Sequence, residues 1–330
     1  MAYDIVLLEG DGIGPEISKA VTKIIDATGV KINYHRYIVG VQALEKYGVL
    51  IPDEVFNAIK EYKIALKGPL TTPIGTGFKS INVQLRLAFD LYSNVRPATS
   101  YANISKYENV DIVTVRENTE DLYIGEEHEI EDGFEAIKRI TKEKSERIIR
   151  YAFEYAKKNN RKQVTCIHKA NILKKTDGLF LSIFNQIKEE YPDIQANDKI
   201  IDNMCMQLVM YPEKYDVLVA PNLYGDIISD LIAGLTGGLG LTPAANIGKD
   251  VAIFEAVHGS APDIAGQNKA NPIAMLLSSC MMLDYINEKE AANRIRNAIK
   301  TVLNNRINLT PDLNGTGTTE SITEAIINNL

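Results

Sequence analysis

The sequence predicts an α/β fold, and two observations support this prediction. Apolar, strand-like runs alternate along the chain with helix-length amphipathic segments, an order typical of α/β architecture. The chain has 330 residues, of which 45% are hydrophobic, so it is long enough for a large core and for two domains or one large unit. We find no fixed-period repeat and no low-complexity segment in it.

The expected elements follow from the spacing of the apolar residues. Short apolar runs predict strands at residues 3–9, 64–67, 111–116, 163–168, 215–220 and 251–256. Amphipathic spacing predicts helices at residues 15–28, 177–190, 225–236, 272–286 and 289–304, with another helix starting near residue 80. A long helix at 141–158 has an apolar stripe that predicts a core face rather than a dimer face: Ile148, Ile149, Ala152, Phe153 and Ala156.

Composition excludes several classes of protein. The net charge of -7 argues against a general nucleic-acid binder. The N-terminus runs directly into a strand-like segment without a signal peptide, and no apolar run reaches the ~18 residues needed to cross a membrane. Cys166, Cys205 and Cys280 form no CxxC pair, which indicates a reducing compartment and leads us to expect a cytoplasmic protein.

A glycine-rich turn near the N-terminus resembles a dinucleotide-binding loop only superficially. Gly10 and Gly12 have the required spacing, but Pro15 occupies the position of the third glycine. A proline is well tolerated in the first turn of a helix. We therefore expect a tight turn into a helix, and not a Rossmann fold.

Three arginines on separate segments predict an anion site. A loop containing Thr72 and two glycines leads into the helix near Ser80, whose N-terminal amides favour anions. Ser80 and Asn82 add polar groups, and Arg86 adds a bidentate donor. Each arginine alone is most simply a surface residue. Together, Arg86, Arg96 and Arg116 predict a carboxylate or phosphate site in an otherwise acidic chain.

Two aspartates predict a metal site. Asp226 and Asp230 are four residues apart in a helical segment, so both carboxylates project from one face. Oxygen ligands with open positions suit Mg²⁺ or Mn²⁺. The alternative is that Asp226 stabilises the start of a helix beginning at Gly225 while Asp230 is solvated.

Tyr123 and Lys169 are candidate acid–base residues. A buried lysine near other cations has a lowered pKa and can act as a base, and a neighbouring tyrosine can relay a proton. The alternatives are a structural tyrosine and a solvated lysine. The small-residue loop that starts at His258 is a candidate ligand contact, in which Asp263 could accept hydrogen bonds from ribose hydroxyls. A turn with a helix cap is the alternative for that loop.

Taken together, these segments resemble the β-decarboxylating dehydrogenases that act on isocitrate, 3-isopropylmalate and related malate derivatives. The resemblance spans nearly the whole chain, from the Gly10 turn to the final helix. It implies a two-domain α/β fold with a mixed sheet, in which residues 1–98 and 245–330 form a large cofactor-binding domain and residues 99–244 a small domain. It also implies a homodimer with shared active sites, where Lys169 and Asp202 act in the site of the partner.

The substrate segment distinguishes the members of this family. Ser80, Asn82 and Arg86 match the pattern of isocitrate enzymes, where the serine and asparagine meet the third carboxylate. Homoisocitrate enzymes tend to add basic residues here and are the second choice. The glutamate and leucines of 3-isopropylmalate enzymes are not found. Asp263 and Ile264 match the NAD-using pattern rather than the NADP-using one.

The resemblance implies roles for the remaining residues. The cofactor contacts would be His258, Gly259, Ser260, Ala261, Pro262, Asp263, Ile264 and Asn271. The implied reaction is oxidative decarboxylation of isocitrate to 2-oxoglutarate and CO₂, with NAD and with Mg²⁺ or Mn²⁺ held by Asp226, Asp230 and the partner's copy of Asp202. Lys169 would help to remove the hydroxyl proton, and Tyr123 would aid protonation of the enol. The segment at 310–315, which includes Asp312, matches the family only loosely. A non-catalytic regulatory subunit is the alternative of another class.

Overall fold

The computed structural model describes residues 2–71 and 80–330, and a mixed β-sheet dominates this part of the chain. Ten of the described strands form the sheet, in the order β2-β1-β3-β12-β11-β4-β5-β10-β8-β9, and β6 and β7 form a separate hairpin. The strands are β1 (Tyr3–Leu8), β2 (Ile32–Tyr37), β3 (Ile64–Lys67), β4 (Ser93–Thr99), β5 (Asp111–Glu117), β6 (Glu127–Ile130), β7 (Gly133–Ala136), β8 (Gln163–His168), β9 (Gln195–Ile200), β10 (Val217–Ala220), β11 (Pro243–Ile247) and β12 (Ala252–Ala256).

Strand directions explain why the sheet is mixed. The pairs β12–β11, β11–β4 and β4–β5 at the centre are antiparallel, whereas β2, β1, β3 and β12 on one side and β5, β10, β8 and β9 on the other are parallel. The expected mixed α/β fold is therefore confirmed, and a Rossmann sheet, which is parallel throughout its binding core, is excluded.

Helices cover both faces of the sheet. They are α1 (Gly14–Ala27), α2 (Val41–Tyr47), α3 (Asp53–Tyr62), α4 (Ile81–Ala88), α5 (Lys142–Lys158), α6 (Thr176–Ile187), α7 (Ile201–Met210), α8 (Asn222–Thr236), α9 (Ile273–Tyr285), α10 (Lys289–Asn304) and α11 (Thr319–Ile327). Alternate residues of β5, β8 and β10 pack on α5 and α6 on one face and on α7 and α8 on the other. Each strand there is buried on both faces, which accounts for its continuous apolar run. None of the helices in the described residues could cross a membrane.

The turn at the N-terminus has the expected form. Gly10 and Gly12 adopt φ values of 81° and 57°, which favour glycine, and α1 follows with a proline in its first turn. The Asp11 carboxylate accepts hydrogen bonds from the amides of Val41 at 2.9 Å and Thr71 at 2.8 Å. This turn therefore anchors the two loops that contain Val41 and Thr71.

The apolar stripe of α5 faces the core, as predicted. All five of its residues, from Ile148 to Ala156, are fully buried within one chain. The Phe153 ring stacks on Tyr191 and Phe184, with centroid distances of 4.8 and 5.5 Å. The stripe is therefore unavailable as a dimer face.

Replacing Phe153 by alanine is expected to lower the free energy of unfolding by about 3–5 kcal/mol, because a buried ring leaves a cavity. Urea denaturation measures this loss, and the oligomeric state should not change. Tyr47→Ala is the control, since 45% of that side chain is exposed and its loss should cost below about 1 kcal/mol. Equal effects of the two substitutions would contradict the assignment.

Candidate active site

The three predicted arginines meet at the centre of the sheet. Arg86 lies in the last turn of α4, Arg96 on β4 and Arg116 near the end of β5. In the antiparallel β4–β5 pair, Arg96 lies opposite Thr114, so Arg116 is its diagonal neighbour on the same face. The arginines are 7%, 7% and 1% exposed, respectively. They are therefore not the surface residues that each would be in isolation.

Asp226 is the shared partner of two of these arginines, Arg96 and Arg116. Its carboxylate accepts hydrogen bonds from Arg96 Nη1 at 3.2 Å, from Arg116 Nη1 and from the Tyr123 hydroxyl. The Arg116 guanidinium also lies over the Tyr123 ring, 4.9 Å from its centroid. A Cβ atom at Gly225 would lie 2.6 Å from Arg116 Cγ, so a glycine there lets the arginine lie against α8. The sequence thus brings a tyrosine, two arginines and a carboxylate together.

The ionisation of these groups reflects burial and neighbouring cations. Burial, together with the positive charges of Arg96 and Arg86, lowers the pKa of Arg116 to about 9. Burial also lowers the pKa of Arg86. Burial alone would raise the pKa of Asp226, but Arg116 and Arg96 outweigh it, and the pKa is lowered overall. Positive charge is therefore in excess at this point of an acidic protein, which favours binding of a polyanion.

Unpaired polar atoms indicate where such an anion would bind. Two donors, Arg116 Nη2 and Arg86 Nε, and one acceptor, Asn82 Oδ1, are buried without a hydrogen-bond partner in the structure described. Buried polar groups normally have partners, so orphaned donors beside a cleft point to a ligand. The cleft is lined by Arg86, Arg96 and Asn82 among others. Ser80 lies half-buried just before α4, whereas the predicted contact Thr72 falls outside the described residues.

The two metal candidates on α8 share a face of the helix. Arg96 Nη1 lies 3.2 Å from an oxygen of Asp226 and 3.5 Å from one of Asp230. Burial raises the pKa of the Asp230 carboxyl. The side chains of Asp226 and Asp230 are 35% and 53% exposed, so oxygens remain accessible. Because α8 begins at Asn222, the aspartates lie inside the helix, and the alternative of a helix start at Gly225 is wrong.

Lys169 and Asp202 form a separate pair. Lys169 follows β8, Asp202 lies in the first turn of α7, and their charged atoms are 2.5 Å apart. The amide of Lys169 also donates to the buried carboxylate of Asp177 at 2.7 Å. Within the described part of a single chain, no three acidic, histidine or cysteine side chains gather as a metal site. Asp202 thus does not join Asp226 and Asp230 in one chain.

The loop that begins at His258 borders the same cleft. His258 and Gly259 line it together with Arg86 and Arg96. Burial lowers the pKa of His258, and its Nε2 atom is buried without a partner in the described structure, which leaves a neutral imidazole to meet a ligand. Some of the predicted substrate residues (Asn82, Arg86 and Arg96) and cofactor residues (His258 and Gly259) therefore line one cleft.

Contacts with the N-terminal turn hold this loop in place. The Ser260 carbonyl accepts a hydrogen bond from Ile13 at 2.9 Å, and a Cβ at Gly12 would lie 2.0 Å from that oxygen. Ala261 adopts a φ of 38°, which is uncommon without glycine, and Pro262–Ile264 form a single helical turn with Asp263 exposed. The loop therefore has a fixed shape and presents Asp263 to solvent.

Asn271 has a structural role that the sequence did not reveal. Its Oδ1 accepts the amide of Ile273 at 3.0 Å, and its Nδ2 donates to Asp312 at 2.9 Å. Asn271 thus ties the start of α9 to the segment at 310–315. Asp312 lies near the cofactor loop, although its segment matched the family only loosely.

Sequence reasoning missed several charged and polar residues of the site. Lys67 and Glu255 form an ion pair at 2.6 Å, with side chains only 3% and 8% exposed, and both line the cleft. Ser229 accepts a hydrogen bond from Arg96 at 2.7 Å. A glutamate inside the apolar run 251–256 was a signal that could have identified Glu255, because charged residues are rarely buried without a partner.

Comparison with known proteins identifies the family. A family profile described as isocitrate/isopropylmalate dehydrogenase matches residues 4–326. The chain belongs to this family. The isocitrate dehydrogenase/isopropylmalate dehydrogenase fold is shared with the crystal structure of isocitrate dehydrogenase from Methylococcus capsulatus, which is 51% identical, has a TM-score of 0.96 and covers 99% of both chains.

Among curated members of the isocitrate/isopropylmalate dehydrogenase family, the chain is similar to NAD isocitrate dehydrogenases. A mitochondrial catalytic subunit of this enzyme from Arabidopsis thaliana is 49% identical over 98% of this chain and 87% of its own length. A protein from Dictyostelium discoideum, named as a mitochondrial regulatory subunit of the same enzyme, is also 49% identical, over 98% of this chain and 90% of its own length. Identity alone thus does not separate catalytic from regulatory subunits.

These relatives contradict one expectation. The proteins from Arabidopsis thaliana, Caenorhabditis elegans and Saccharomyces cerevisiae are named mitochondrial. The prediction of a cytoplasmic protein is therefore wrong. Its physical basis was too weak, because Cys166, Cys205 and Cys280 are all free and indicate only a reducing environment. A mitochondrial matrix satisfies that condition as well as a cytosol does.

Proposed function

We propose that this chain is an NAD-dependent isocitrate dehydrogenase that converts isocitrate to 2-oxoglutarate and CO₂. The observation that carries the proposal is the convergence of Arg86, Arg96 and Arg116 near Asp226 and Tyr123, next to the cleft that Arg86 and Arg96 line together with His258. Several fixed positive groups suit a trianionic substrate, and orphaned donors on two of the arginines are ready to bind its carboxylates.

Asp226 and Asp230 fit a divalent cation. Both carboxylates lie on one face of α8 with accessible oxygens, and oxygen ligands suit Mg²⁺ or Mn²⁺. We propose that Asp202 of a second copy completes the set. When bound, the cation supplies a Lewis acid for the hydroxyl and for the negative charge that develops after decarboxylation, and NAD supplies the hydride acceptor.

The chain's own groups bind and move protons around the substrate. The arginines hold the carboxylates and fix their orientation, which brings the reacting carbon to a defined place. Burial raises the pKa of Tyr123, so its hydroxyl keeps a proton at neutral pH and can donate it to the carbon that loses CO₂. Lys169, supplied by the partner and paired with Asp202, helps to remove the hydroxyl proton by way of the aspartate network around the cation. Asp263, exposed beside the cleft, binds ribose hydroxyls and disfavours a 2′-phosphate.

We propose a homodimer whose active sites are shared. Lys169 and Asp202 lie together but form no contact with Asp226 in the described part of one chain. The faces of α7 and α8 beside Asp202 expose apolar side chains, with 46% of Met206, 53% of Met210 and 50% of Ile227 accessible. A second copy packed on this surface would bury these side chains and could bring Asp202 to the Asp226 site of its neighbour.

The sheet order supports the expected two domains. Residues 1–98 and 245–330 supply the side from β2 to most of β11 and β4, and residues 99–244 supply β5, β10, β8 and β9. We propose that the large part binds the cofactor through the His258 loop and that the small part supplies the metal aspartates and the dimer contact. The central antiparallel strands would join the two.

Formation of NADH tests the proposal. The purified protein with Mn²⁺ should turn over isocitrate with NAD faster than homoisocitrate or 3-isopropylmalate, and faster than with NADP. EDTA should abolish the activity. Preference for another malate would overturn the assignment of Ser80 and Asn82 as contacts to the third carboxylate. No turnover with any substrate would instead support a regulatory role, the one named for the Dictyostelium relative.

Isocitrate is expected to stabilise the protein against heat, because it binds the folded chain and compensates the excess positive charge around Arg116. At a concentration 100 times its Kd, the gain is about 2.7 kcal/mol. Differential scanning fluorimetry with Mn²⁺ measures the resulting rise in Tm. Potassium chloride at equal ionic strength is the control, and an equal rise with both salts would contradict a specific tricarboxylate site.

A further inference from the structure

We infer that Asn246 and Asn94 are positioning residues that orient the substrate-binding arginines through a directed chain of buried hydrogen bonds. The inference rests on the proposed function, since it concerns how the same site holds its substrate. Asn94 is fully buried and Asn246 is 2% exposed. Neither residue is among those that line the cleft, although Asn246 borders a small cavity next to it that Arg86 and Glu255 also line. Both asparagines would therefore act on the substrate through other residues.

The chain of hydrogen bonds crosses the centre of the sheet. Asn246 on β11 lies directly opposite Asn94 on β4. Arg96 Nε donates to Asn94 Oδ1 at 2.9 Å, Asn94 Nδ2 donates to Asn246 Oδ1 at 2.7 Å, and Asn246 Nδ2 donates to Glu255 Oε1 at 2.7 Å. Asn118 Nδ2 adds a second donor to Asn246 Oδ1 at 3.0 Å. Two asparagines therefore link Arg96 with the carboxylate on β12.

The groups at the two ends of this series of hydrogen bonds determine which atom of each amide donates and which accepts. A guanidinium group only donates, and an ionised carboxylate only accepts. Burial alone would raise the pKa of Glu255, but Lys67 and Arg86 lower it to about 2, so Glu255 is ionised at neutral pH. With a pure donor at one end and a pure acceptor at the other, each amide between them has one orientation that satisfies its neighbours.

The same series of hydrogen bonds links two of the three arginines, Arg86 and Arg96. Glu255 lies 3.8 Å from Arg86 Nη2 and 2.6 Å from Lys67 Nζ. Asn246 thus fixes the carboxylate that faces Arg86, and through Asn94 it fixes Arg96. Both arginines contribute to the carboxylate clamp, and both line the cleft. Their relative position across β12, β11 and β4 would therefore depend on the amide of Asn246.

A merely structural role would have a different signature. Replacing both partners of a buried hydrogen bond by apolar groups can be nearly neutral, whereas removing one partner leaves the other unsatisfied and lowers the stability of the fold. What an apolar residue cannot do is transmit orientation between a cation and an anion. Asn246→Leu changes the side-chain volume only modestly, but it removes both the donor and the acceptor and leaves Asn94 and Glu255 without this partner. Some loss of stability is therefore expected in any case, and isocitrate binding by the folded variant is the measurement that reports orientation.

The test is isothermal titration of isocitrate into the full-length protein with Mn²⁺ and without NAD, so that no turnover occurs. Asn246→Leu is expected to weaken isocitrate binding about 10-fold or more, because charged hydrogen bonds are lost. Thr165→Val is the matched control, since Thr165 is fully buried on β8 and its hydroxyl has no partner in the described structure. The control should bind isocitrate as the wild type does.

Asn246→Asp is the second variant, and it tests whether a donor must point from residue 246 toward Glu255. The new carboxyl group would face Glu255, with Lys67 and Arg86 beyond it and Arg96 at the other end through Asn94. Two adjacent carboxylates retain one proton more readily than either would alone. A retained proton restores a donor toward Glu255, so the affinity for isocitrate relative to the wild type should rise as the pH falls from about 8 to about 6. Thr165→Val should show no such rise relative to the wild type.

The outcomes separate the inference from the proposed function. If the wild type does not bind isocitrate, the proposed function fails and the inference fails with it. If the wild type binds and a folded Asn246→Leu variant binds equally well, only the inference is overturned. Should Asn246→Leu fail to fold, Asn246→Asp decides: an affinity that follows the wild type at every pH overturns the inference, and a relative gain at low pH supports it.

Discussion

Replacing Asp226 by asparagine is expected to lower kcat/KM for isocitrate by roughly 10³-fold, about the loss expected when an electrostatic stabiliser of the transition state is removed. Asp226 accepts hydrogen bonds from Arg96, Arg116 and Tyr123, and it is one of the proposed metal ligands. The amide has nearly the same shape but no charge. Both the counter-charge of the arginines and a carboxylate ligand are therefore lost. Steady-state kinetics of NADH formation measures the effect.

Two further measurements distinguish loss of chemistry from loss of structure. Titration with Mn²⁺ should show weaker binding to Asp226→Asn than to the wild type. The control is Asp193→Asn, an exposed aspartate in the loop before β9, which should retain wild-type activity and Mn²⁺ affinity. A folded Asp226→Asn variant with undiminished activity would refute the assigned role of the α8 aspartates.

Acid dependence adds a check on the environment of Asp226. Its pKa is lowered in the folded protein, so its ionised form stabilises the fold above the ordinary pKa of an aspartate. That contribution is lost as the pH falls through the lowered pKa. The difference in stability between the wild type and Asp226→Asn should therefore shrink as the pH falls below about 4. A difference that grows in acid would mean that Asp226 is not held by the arginines.

The sequence identified β1, β3, β5, β8, β10 and β12, because each of these strands contains a continuous apolar run. β3 and β8 have the predicted bounds, and β5 and β10 differ only at their ends. It missed β2 and β9, which lie at the two edges of the sheet and are largely polar, so they show no apolar run. It also missed β4 and β11 at the centre of the sheet. In β4, Arg96 and a proline interrupt the apolar pattern. Local hydrophobicity thus reports burial on both faces, and edge strands lack that signal.

For the candidate site, too, local sequence predicts residue types but not the contacts that depend on the order of the strands. Arg86, Arg96, Arg116 and Asp226 were predicted to share a site because their residue types suit a polyanion and a cation, and the structure places them in contact or around one cleft. The link from Arg96 to Glu255 was not predictable, because it depends on β11 lying between β12 and β4. Asn94 and Asn246 are 152 residues apart, and nothing local pairs them.

The assembly of the protein determines whether Lys169 and Asp226 act in the same active site. Relatives of this chain are named as subunits, both catalytic and regulatory. The ion pair of Lys169 with Asp202 is complete within one chain, and so is the cluster around Asp226. Only the proposed homodimer joins these two halves into one active site. A test of shared sites therefore tests the dimer and the role of Lys169 together.

Two inactive variants are expected to restore activity when they form one dimer. Lys169→Met and Asp226→Asn should each be nearly inactive as homodimers. In a mixed dimer with shared sites, one site contains both substitutions and the other contains neither, so activity should return to about half of the wild-type value per dimer, as expected from one intact site. Co-expression with two different affinity tags isolates the mixed dimer, and NADH formation measures its activity.

The arrangement of both substitutions in one chain is the matched control. When the double variant pairs with a wild-type chain, each shared site receives one defective residue, and the mixed dimer should be nearly inactive. Sites built from a single chain predict the reverse: no activity when the substitutions lie on different chains, and half activity when they lie on the same chain. The two mixed dimers have identical composition. A difference in their activity can therefore only mean that the Lys169 and the Asp226 of one active site come from different chains or from the same chain.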